Sequence, residues 1–561
     1  MPINRWTLRR LLRRAGHYFH STGLLLGTLF FALSLSPSLV PRMGAMQGLL
    51  SGLSLLAGYG IGAALYHLWV YFHLPRFNAR VLWRLQWLAG AICLAIAVLF
   101  IWQAGEWQNE LRRLMGMNEI SGVQISTIGL VALLVFLSLL ALAHLFVRTF
   151  RFLSARLQRF VPARVSHLIG LLLAFALFWS IIDGVFFTRA FQAADRSYQQ
   201  IDELIEPEIA QPLDAGLVGS AQSLIAWESL GRQGRRYISA TPTVEQIASL
   251  TGTPAMRPIR VYVGLNSAES NAARAELALR ELLRTDAFDR EVLLLVTPTG
   301  DGWIDPASVT PLEFLHRGSV ASVAAQYSYL SSPLALLSES EYGVELARQM
   351  FQTIYGYWSE LPADSRPKLY LTGLSLGARN SDLSFDFYDI IDDPFHGALW
   401  SGPPFSSETW RDVTQRRDAD TPHWRPSFRD GAVVRFFNQN GSPDYPVDSW
   451  GAFRIAFLQY ASDPITFFDP MYFYREPPWM SAERGPDVLP TLRWYPVVTM
   501  LQLAADMTNR TAPRGFGHWY AAAHYHDVWL AMSEPENWTA GQLHALREFW
   551  QDHPDGRLPA R

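Results

Sequence analysis

The sequence is poor in cysteine, in lysine and in charge of any kind. Cys93 is its one cysteine and Lys368 its one lysine. That excludes disulfides, cysteine-based zinc sites, iron–sulfur clusters, a P-loop glycine–lysine pair and, unless Lys368 itself is used, Schiff-base chemistry. Charged residues make up 17% of the 561, against roughly 25% in an ordinary soluble protein, while 49% are apolar. Charge is also unevenly spread. Residues 1–190 hold 17 arginines and four acids (Glu106, Glu110, Glu119 and Asp183), a balance of +13, so the remaining residues carry −16. An acidic second part disfavours nucleic acid as a partner, because phosphate binding depends on clustered cations. No cofactor motif is evident, and His524-x-His526 lacks a third ligand for a metal.

Long apolar runs occupy the first part: 22–40, 46–72, 86–103, 122–147 and 167–188. Each is near or above the ~18–20 residues that cross hydrocarbon as a helix. Only Ser138 interrupts the run from Leu130 to Leu142. The reading is a multispan region over 1–190 with about five spans. Arg5, Arg9, Arg10, Arg13 and Arg14 precede the first stretch, Arg76, Arg80 and Arg84 lie in the second connection, and Arg148, Arg151, Arg156, Arg159 and Arg164 in the fourth. The alternate connections hold Arg42, and Arg112 with Arg113 offset by three acids. Arginine-rich loops stay cytoplasmic, so an odd number of spans predicts a cytoplasmic N-terminus and an extracytoplasmic second part in the cytoplasmic membrane. The first stretch reads as an uncleaved anchor. Asp183, the one acid within the spans, and the isolated His67 and His144 do not make a transport path. Gly58, Gly60 and Gly62 indicate close helix packing. Residues 191–256 read as a polar, amphipathic connector.

From residue 257 to 561 the pattern becomes short β-branched runs separated by helical stretches. Strands are expected at 259–264, 291–297, 319–326, 368–373, 397–401, 432–437 and 454–460, with helices over 268–285 and 341–358. Alternation of this kind predicts a mostly parallel sheet with helices on both faces. At the end of the fourth strand stands Gly373-Leu374-Ser375-Leu376-Gly377, a G-x-S-x-G pattern between strand and helix. Small residues two positions either side of a serine permit a turn tight enough to lift its hydroxyl clear of the backbone, so Ser375 is a candidate nucleophile.

A serine hydroxyl needs a base, and the base an acid to orient it. Asp463, in the loop after the 454–460 strand, is the candidate acid, with Asp444 and Asp448 as competitors. His518, in Gly515-Phe516-Gly517-His518-Trp519-Tyr520, is the candidate base, with His524 and His526 as second choices; His544 and His553 look solvated. For the oxyanion hole the candidates are the amide of Leu376, which follows the nucleophile, and Thr299 and Gly300 in the loop after 291–297. Gly264-Leu265-Asn266 is the rival loop.

The stretches R-P-I-R-V-Y-V-G-L-N-S-A, V-T-P-T-G-D-G-W, A-A-Q-Y-S-Y-L, G-L-S-L-G, G-A-L-W-S-G-P-P, Q-Y-A-S-D-P-I, R-G-P-D-V and G-H-W-Y resemble the bacterial membrane-anchored α/β-hydrolase family, in which a multispan N-terminal region precedes a hydrolase domain. The resemblance implies an α-helical transmembrane bundle followed by an α/β-hydrolase domain, with a triad of Ser375, Asp463 and His518. The family's elbow carries an acid before the serine, where this chain has Leu374. The resemblance brings no substrate with it.

Residues 403–431 and the aromatic stretch 467–480 are candidates for a lid, and aromatic surfaces beside an anchored domain favour an ester or lipid-like substrate. The expected function is thus a serine hydrolase of esters beside a lipid bilayer, without a cofactor. An acyltransferase with the same triad and a non-catalytic envelope scaffold are the alternatives, and the oligomeric state is left open.

Overall fold

A computed structural model describes residues 20–75, 78–122, 124–330, 334, 340–445, 450–481 and 483–559. Arg5, Arg9, Arg10, Arg13, Arg14, Arg76 and Asp448 lie outside the described residues. The chain forms two units, one of Met1–Thr188 with Phe468–Ser481 and Pro486–Ala512, the other of Arg189–Phe467 with Ala482–Gly485 and Pro513–Arg561. Residues 468–481 and 486–512, which follow the expected start of the second domain at 257, cluster with the N-terminal helices.

The first unit is helical: α1 (Ser21–Ser34), α2 (Gly44–Tyr71), α3 (Ala79–Leu114), α4 (Ile125–Leu157) and α5 (Ala163–Trp179), which runs on into a π-helical turn at Ser180–Phe187. Four of these, α2 to α5, are long and apolar enough to cross a membrane. The first of the five expected spans is shorter than its apolar run: Pro37 and Pro41 supply no amide hydrogen, and α1 ends at Ser34. Its 14 residues reach about 21 Å, short of the ~30 Å hydrocarbon core. Glycine brings α1 and α2 together, since a Cβ at Gly58 would stand 2.6 Å from the Leu26 carbonyl and one at Gly62 2.5 Å from that of Thr22. Gly60 faces open space.

The connection between α1 and α2 is held by the later segment. The Asp506 carboxylate, on the helix Val498–Met507, accepts from Arg42 Nε at 2.7 Å, from the Leu39 amide at 3.1 Å and from the Ser38 hydroxyl. Gln502 Nε2 donates to the Ser36 carbonyl at 3.1 Å, and Asn509 Nδ2 to that of Pro41 at 2.5 Å.

The second unit is built on seven parallel strands, β1 (Ile259–Val263), β2 (Val292–Thr297), β3 (Val320–Ala325), β4 (Lys368–Leu374), β5 (Gly397–Ser401), β6 (Val434–Phe437) and β7 (Arg454–Leu458), in the order β1-β3-β2-β4-β5-β7-β6. The expected parallel α/β architecture is present. β2 and β3 are buried along their whole length because helices cover both faces. Asn271–Arg284 packs on Ser340–Glu360, and Pro306–Leu315 on Ala522–Ser533. Pairing of Thr297 with Gly373, Leu374 with Ser401 and Ser401 with Leu458 aligns the C-terminal ends of β2, β4, β5 and β7 along one edge. In open parallel sheets that edge is where ligands bind.

Two polar features fix the β1 side. Arg260 on β1 makes a double bond pair with Glu313, Nε to Oε1 and Nη2 to Oε2 both at 2.8 Å, with both side chains buried, and Arg260 Nη1 reaches the Tyr237 carbonyl at 2.9 Å. Tyr237, on the helix Gly231–Ser239, also shares a 2.7 Å hydroxyl bond with Ser322 of β3. Part of the 191–256 stretch, expected as a polar amphipathic connector, is thus packed against the sheet. Removing one partner of a buried ion pair leaves an uncompensated charge, at a cost of roughly 3–5 kcal/mol, whereas replacing both with apolar groups is often neutral. Glu313→Ala is accordingly expected to lower the denaturation midpoint of the full-length protein in detergent strongly, and the double change Arg260→Met/Glu313→Leu to restore most of it. A double variant no more stable than the single one would contradict this account.

Candidate active site

At the end of β4 the chain turns through Ser375 into the helix Leu376–Asp382. Ser375 has φ 56° and ψ −122°, a conformation that costs a residue with a side chain of order 1–3 kcal/mol. Its surroundings over-determine it. The Ser375 amide donates to the Ser401 carbonyl at 2.9 Å, and the Ser375 carbonyl accepts from the Arg379 amide at 3.2 Å. A Cβ at Gly373 would collide with the Gly377 backbone, and one at Gly377 with the Thr297 carbonyl. Only glycine at both positions lets strand, turn and neighbouring loop pack this closely, which is the physical content of the sequence pattern.

Asp463 sits beyond β7 and is fully buried. Its Oδ1 accepts from the Ile465 amide at 2.9 Å and its Oδ2 from the Thr466 hydroxyl at 3.3 Å. The same Oδ2 lies 2.8 Å from His518 Nδ1 and accepts from the Tyr520 hydroxyl at 2.7 Å. An ionised carboxylate only accepts, so Nδ1 is the donor in this contact, and in a neutral imidazole Nε2 is then the acceptor. Nε2 is buried and has no hydrogen-bond partner among the described residues. The loop that presents this ring is a tight reversal: Gly515 N donates to the Trp519 carbonyl at 2.7 Å, and Gly517, at φ 57°, donates to Ser462 Oγ at 2.8 Å. Glycine is required at Gly517 because a residue with a side chain is strained there.

The structure thus joins Asp463 and His518 directly. Ser375 and His518 are not hydrogen-bonded to each other. They share the same sheet edge: Ser375 is bonded to Ser401, and the next residue, Gly402, at φ 48°, lies under the imidazole, where a Cβ would stand 2.7 Å from His518 Cε1. Catalytic hydrogen bonds are often long in ligand-free enzymes and tighten on substrate.

The competitors lie elsewhere. Asp444 is exposed beyond the edge strand β6. His524 Nδ1 is held 2.5 Å from the Tyr460 hydroxyl, and burial lowers the pKa of both His524 and His526 to about 4, which keeps them neutral parts of a packed helix. His544 is exposed beside Glu548, and His553 stacks on Phe549.

Of the oxyanion candidates, Leu376 occupies the first helical position, where an amide has no intrahelical partner. The loop after β2 lies against the elbow, because β2 is the immediate neighbour of β4. The Thr299 amide donates to the Trp303 carbonyl at 3.0 Å, closing the loop in this ligand-free form. Gly300, beside it in the same loop, also has an interaction of its own. The rival Gly264–Asn266 loop follows β1, three strands from β4, roughly 14 Å away at the ordinary strand spacing.

Sequence reasoning missed Tyr520. Its hydroxyl is buried, and burial, reinforced by Asp463, raises its pKa well above the ordinary value, so it stays a proton donor to the carboxylate. The sequence carried no signal for it, because Tyr520 follows a tight reversal and reaches Asp463 only through the fold. The lid expectation also changes. In 403–431, Trp410 and Trp424 are buried, and Gln459, just past β7, ties them by bonding Trp410 Nε1 at 2.6 Å and the Trp424 carbonyl at 2.9 Å. Those rings are core. Of 467–480, all but Phe467 belongs to the first unit.

A parallel sheet with a strained strand–serine–helix elbow, and a carboxylate–imidazole pair on loops at the same edge, is the architecture of an α/β-hydrolase. Sequence comparison agrees: the description "Alpha/beta-hydrolase family" matches residues 259–546, and "Alpha/beta-hydrolase family N-terminus" matches residues 35–242. The chain belongs to the alpha/beta-hydrolase family. No curated protein and no solved structure matches it.

Gly402 gives a test of the geometry. Gly402→Ala should displace the imidazole from its place above β5 and, since a shift of about 1 Å can cost on the order of 10²-fold, slow any His518-dependent reaction by at least tenfold without loss of folding. Unchanged reactivity in the folded variant would show that the ring does not need this position.

Proposed function

We propose that this protein is a membrane-anchored serine hydrolase acting on an ester or lipid-like substrate at the outer face of the cytoplasmic membrane. The observation that carries the reading is His518, whose Nδ1 is fixed on Asp463 while its buried Nε2 is left without a partner on the sheet edge that also presents Ser375. In the mechanism, Ser375 Oγ attacks the ester carbonyl and passes its proton to His518 Nε2. Asp463 stabilises the imidazolium, and Tyr520 and the Ile465 amide keep that carboxylate in place. The Leu376 amide takes the developing oxyanion, with the facing loop at Thr299 and Gly300 supplying the second donor once substrate is bound. His518 then protonates the leaving alcohol, and water, activated by the same imidazole, releases the acid and restores Ser375. Replacing water by an alcohol in the second step would make the same residues an acyltransferase.

Labelling by a fluorophosphonate probe tests the chemistry. Detergent-purified protein should label, Ser375→Ala should not, and His518→Ala should label at least about 10²-fold more slowly, the scale of a lost general base. Folded wild-type protein that fails to label would overturn the catalytic reading in favour of a scaffold with a hydrolase-like domain.

The outer-face assignment rests on arginine in the α3-preceding and α4–α5 connections. In a Cys93→Ser background with a cysteine at the exposed position Gly541, an impermeant thiol reagent should modify intact cells. Protection until the membrane is opened would put the hydrolase unit in the cytoplasm.

A further inference from the structure

The first unit encloses a cavity of about 360 Å³ where α1 ends, α2 begins, α3 ends and α4 begins. One side is apolar, with Leu35, Ala104 and Ile128 packed into a single cluster. The other side gathers donors. The Arg42 side chain is fully buried; its Nε is bonded to Asp506 at 2.7 Å and its Nη1 to Gln47 Oε1 at 3.1 Å, but Nη2 has no partner. Gln108 spends its oxygen on the Arg42 amide at 3.1 Å, and its NH2 group makes no hydrogen bond among the described residues. Arg112 adds a second guanidinium to the lining.

The backbone contributes in the same sense. α2, 28 residues long, begins at Gly44 on this cavity with no side-chain cap and no acid in its first turn. Its first amides are therefore orphan donors at the positive end of a long helix, the arrangement that binds anions. Among the described lining residues there is no Asp or Glu, and Asp506 balances only one of the two guanidinium charges. A buried donor left unmade is costly, so a cavity lined by several of them calls for an acceptor.

We propose that this cavity binds the anionic head group, of phosphate or carboxylate type, of an amphiphile whose apolar part lies against Leu35, Ala104 and Ile128. Arg42 Nη2, the Gln108 amide and the first amides of α2 hold the anion, and Arg112 attracts it. The role is separate from the serine chemistry and does not depend on it.

The test uses the full-length chain in nanodiscs of phosphatidylcholine containing phosphatidylglycerol, with native mass spectrometry to count lipid retained on release. Phosphatidylglycerol should be retained over phosphatidylcholine by about tenfold, as charge-assisted bonds require. Gln108→Glu places a carboxylate where the anion would sit, and Ala104→Leu fills the apolar side. Each should lower retention by about tenfold while melting temperature and probe labelling at Ser375 stay at wild-type values. If one variant melts early, the other and the wild-type preference still decide. Equal retention of the two lipids, or a preference untouched by both substitutions, overturns the proposal. Displacement of a fluorescent anion by inorganic phosphate with no lipid preference would overturn the amphiphile in favour of a free-anion site.

Discussion

A serine held at φ 56° and ψ −122° has its hydroxyl lifted off the end of a strand, and the second unit is arranged around keeping it there. The conformation is unfavourable for any residue with a side chain, so it persists only because its surroundings leave no alternative. Gly373 and Gly377 let the helix fold back against the strand, the Ser401 carbonyl holds the serine amide, and the Thr297 carbonyl closes over the turn. Each contact depends on β2, β4 and β5 ending in register. The apolar strands, buried along their length, are thus what fixes a polar group at their edge.

The acid and base illustrate the same division of labour. Asp463 is buried under five donors contributed by Ile465, Thr466, His518 and Tyr520. A buried carboxylate so fully satisfied has no freedom to turn, and through Nδ1 it fixes the tautomer of the imidazole. Among the described residues His518 Nε2 is buried without a hydrogen-bond partner, on the side of the ring away from Asp463.

The seven strands could be read from sequence because β-branched and apolar runs 4–7 residues long, bounded by glycine and proline, have few other uses; the observed boundaries fall within about two residues of the expected ones. The elbow was legible because its glycines answer a local steric demand. Strand order was not, and with it went the position of each loop: only the sheet shows that β7 lies between β5 and β6, bringing the loop carrying Asp463 toward the elbow. The 3.0 Å bond by which the Thr299 amide closes its own loop on Trp303 is a local feature that composition does not display. The shortness of α1 was written in Pro37 and Pro41, inside a run whose hydropathy alone suggested a longer helix. Asp506 looked like an ordinary helix residue, and its partners lie more than 460 positions earlier in the chain.

The path of the polypeptide between the two units carries a consequence for how the protein is made. After Asp463 the chain leaves the second unit at residue 468, returns for 482–485, leaves again, and comes back at 513, five residues before His518. During synthesis the imidazole therefore emerges last, after the segment that closes on the loop between α1 and α2. A chain started at residue 189 would still contain every residue of the hydrolase sheet, yet it would carry Asp506, Gln502 and Asn509 with none of their partners. The helical unit is thereby threaded through the sequence of the hydrolase-fold unit, and one cut cannot separate the two into self-sufficient pieces.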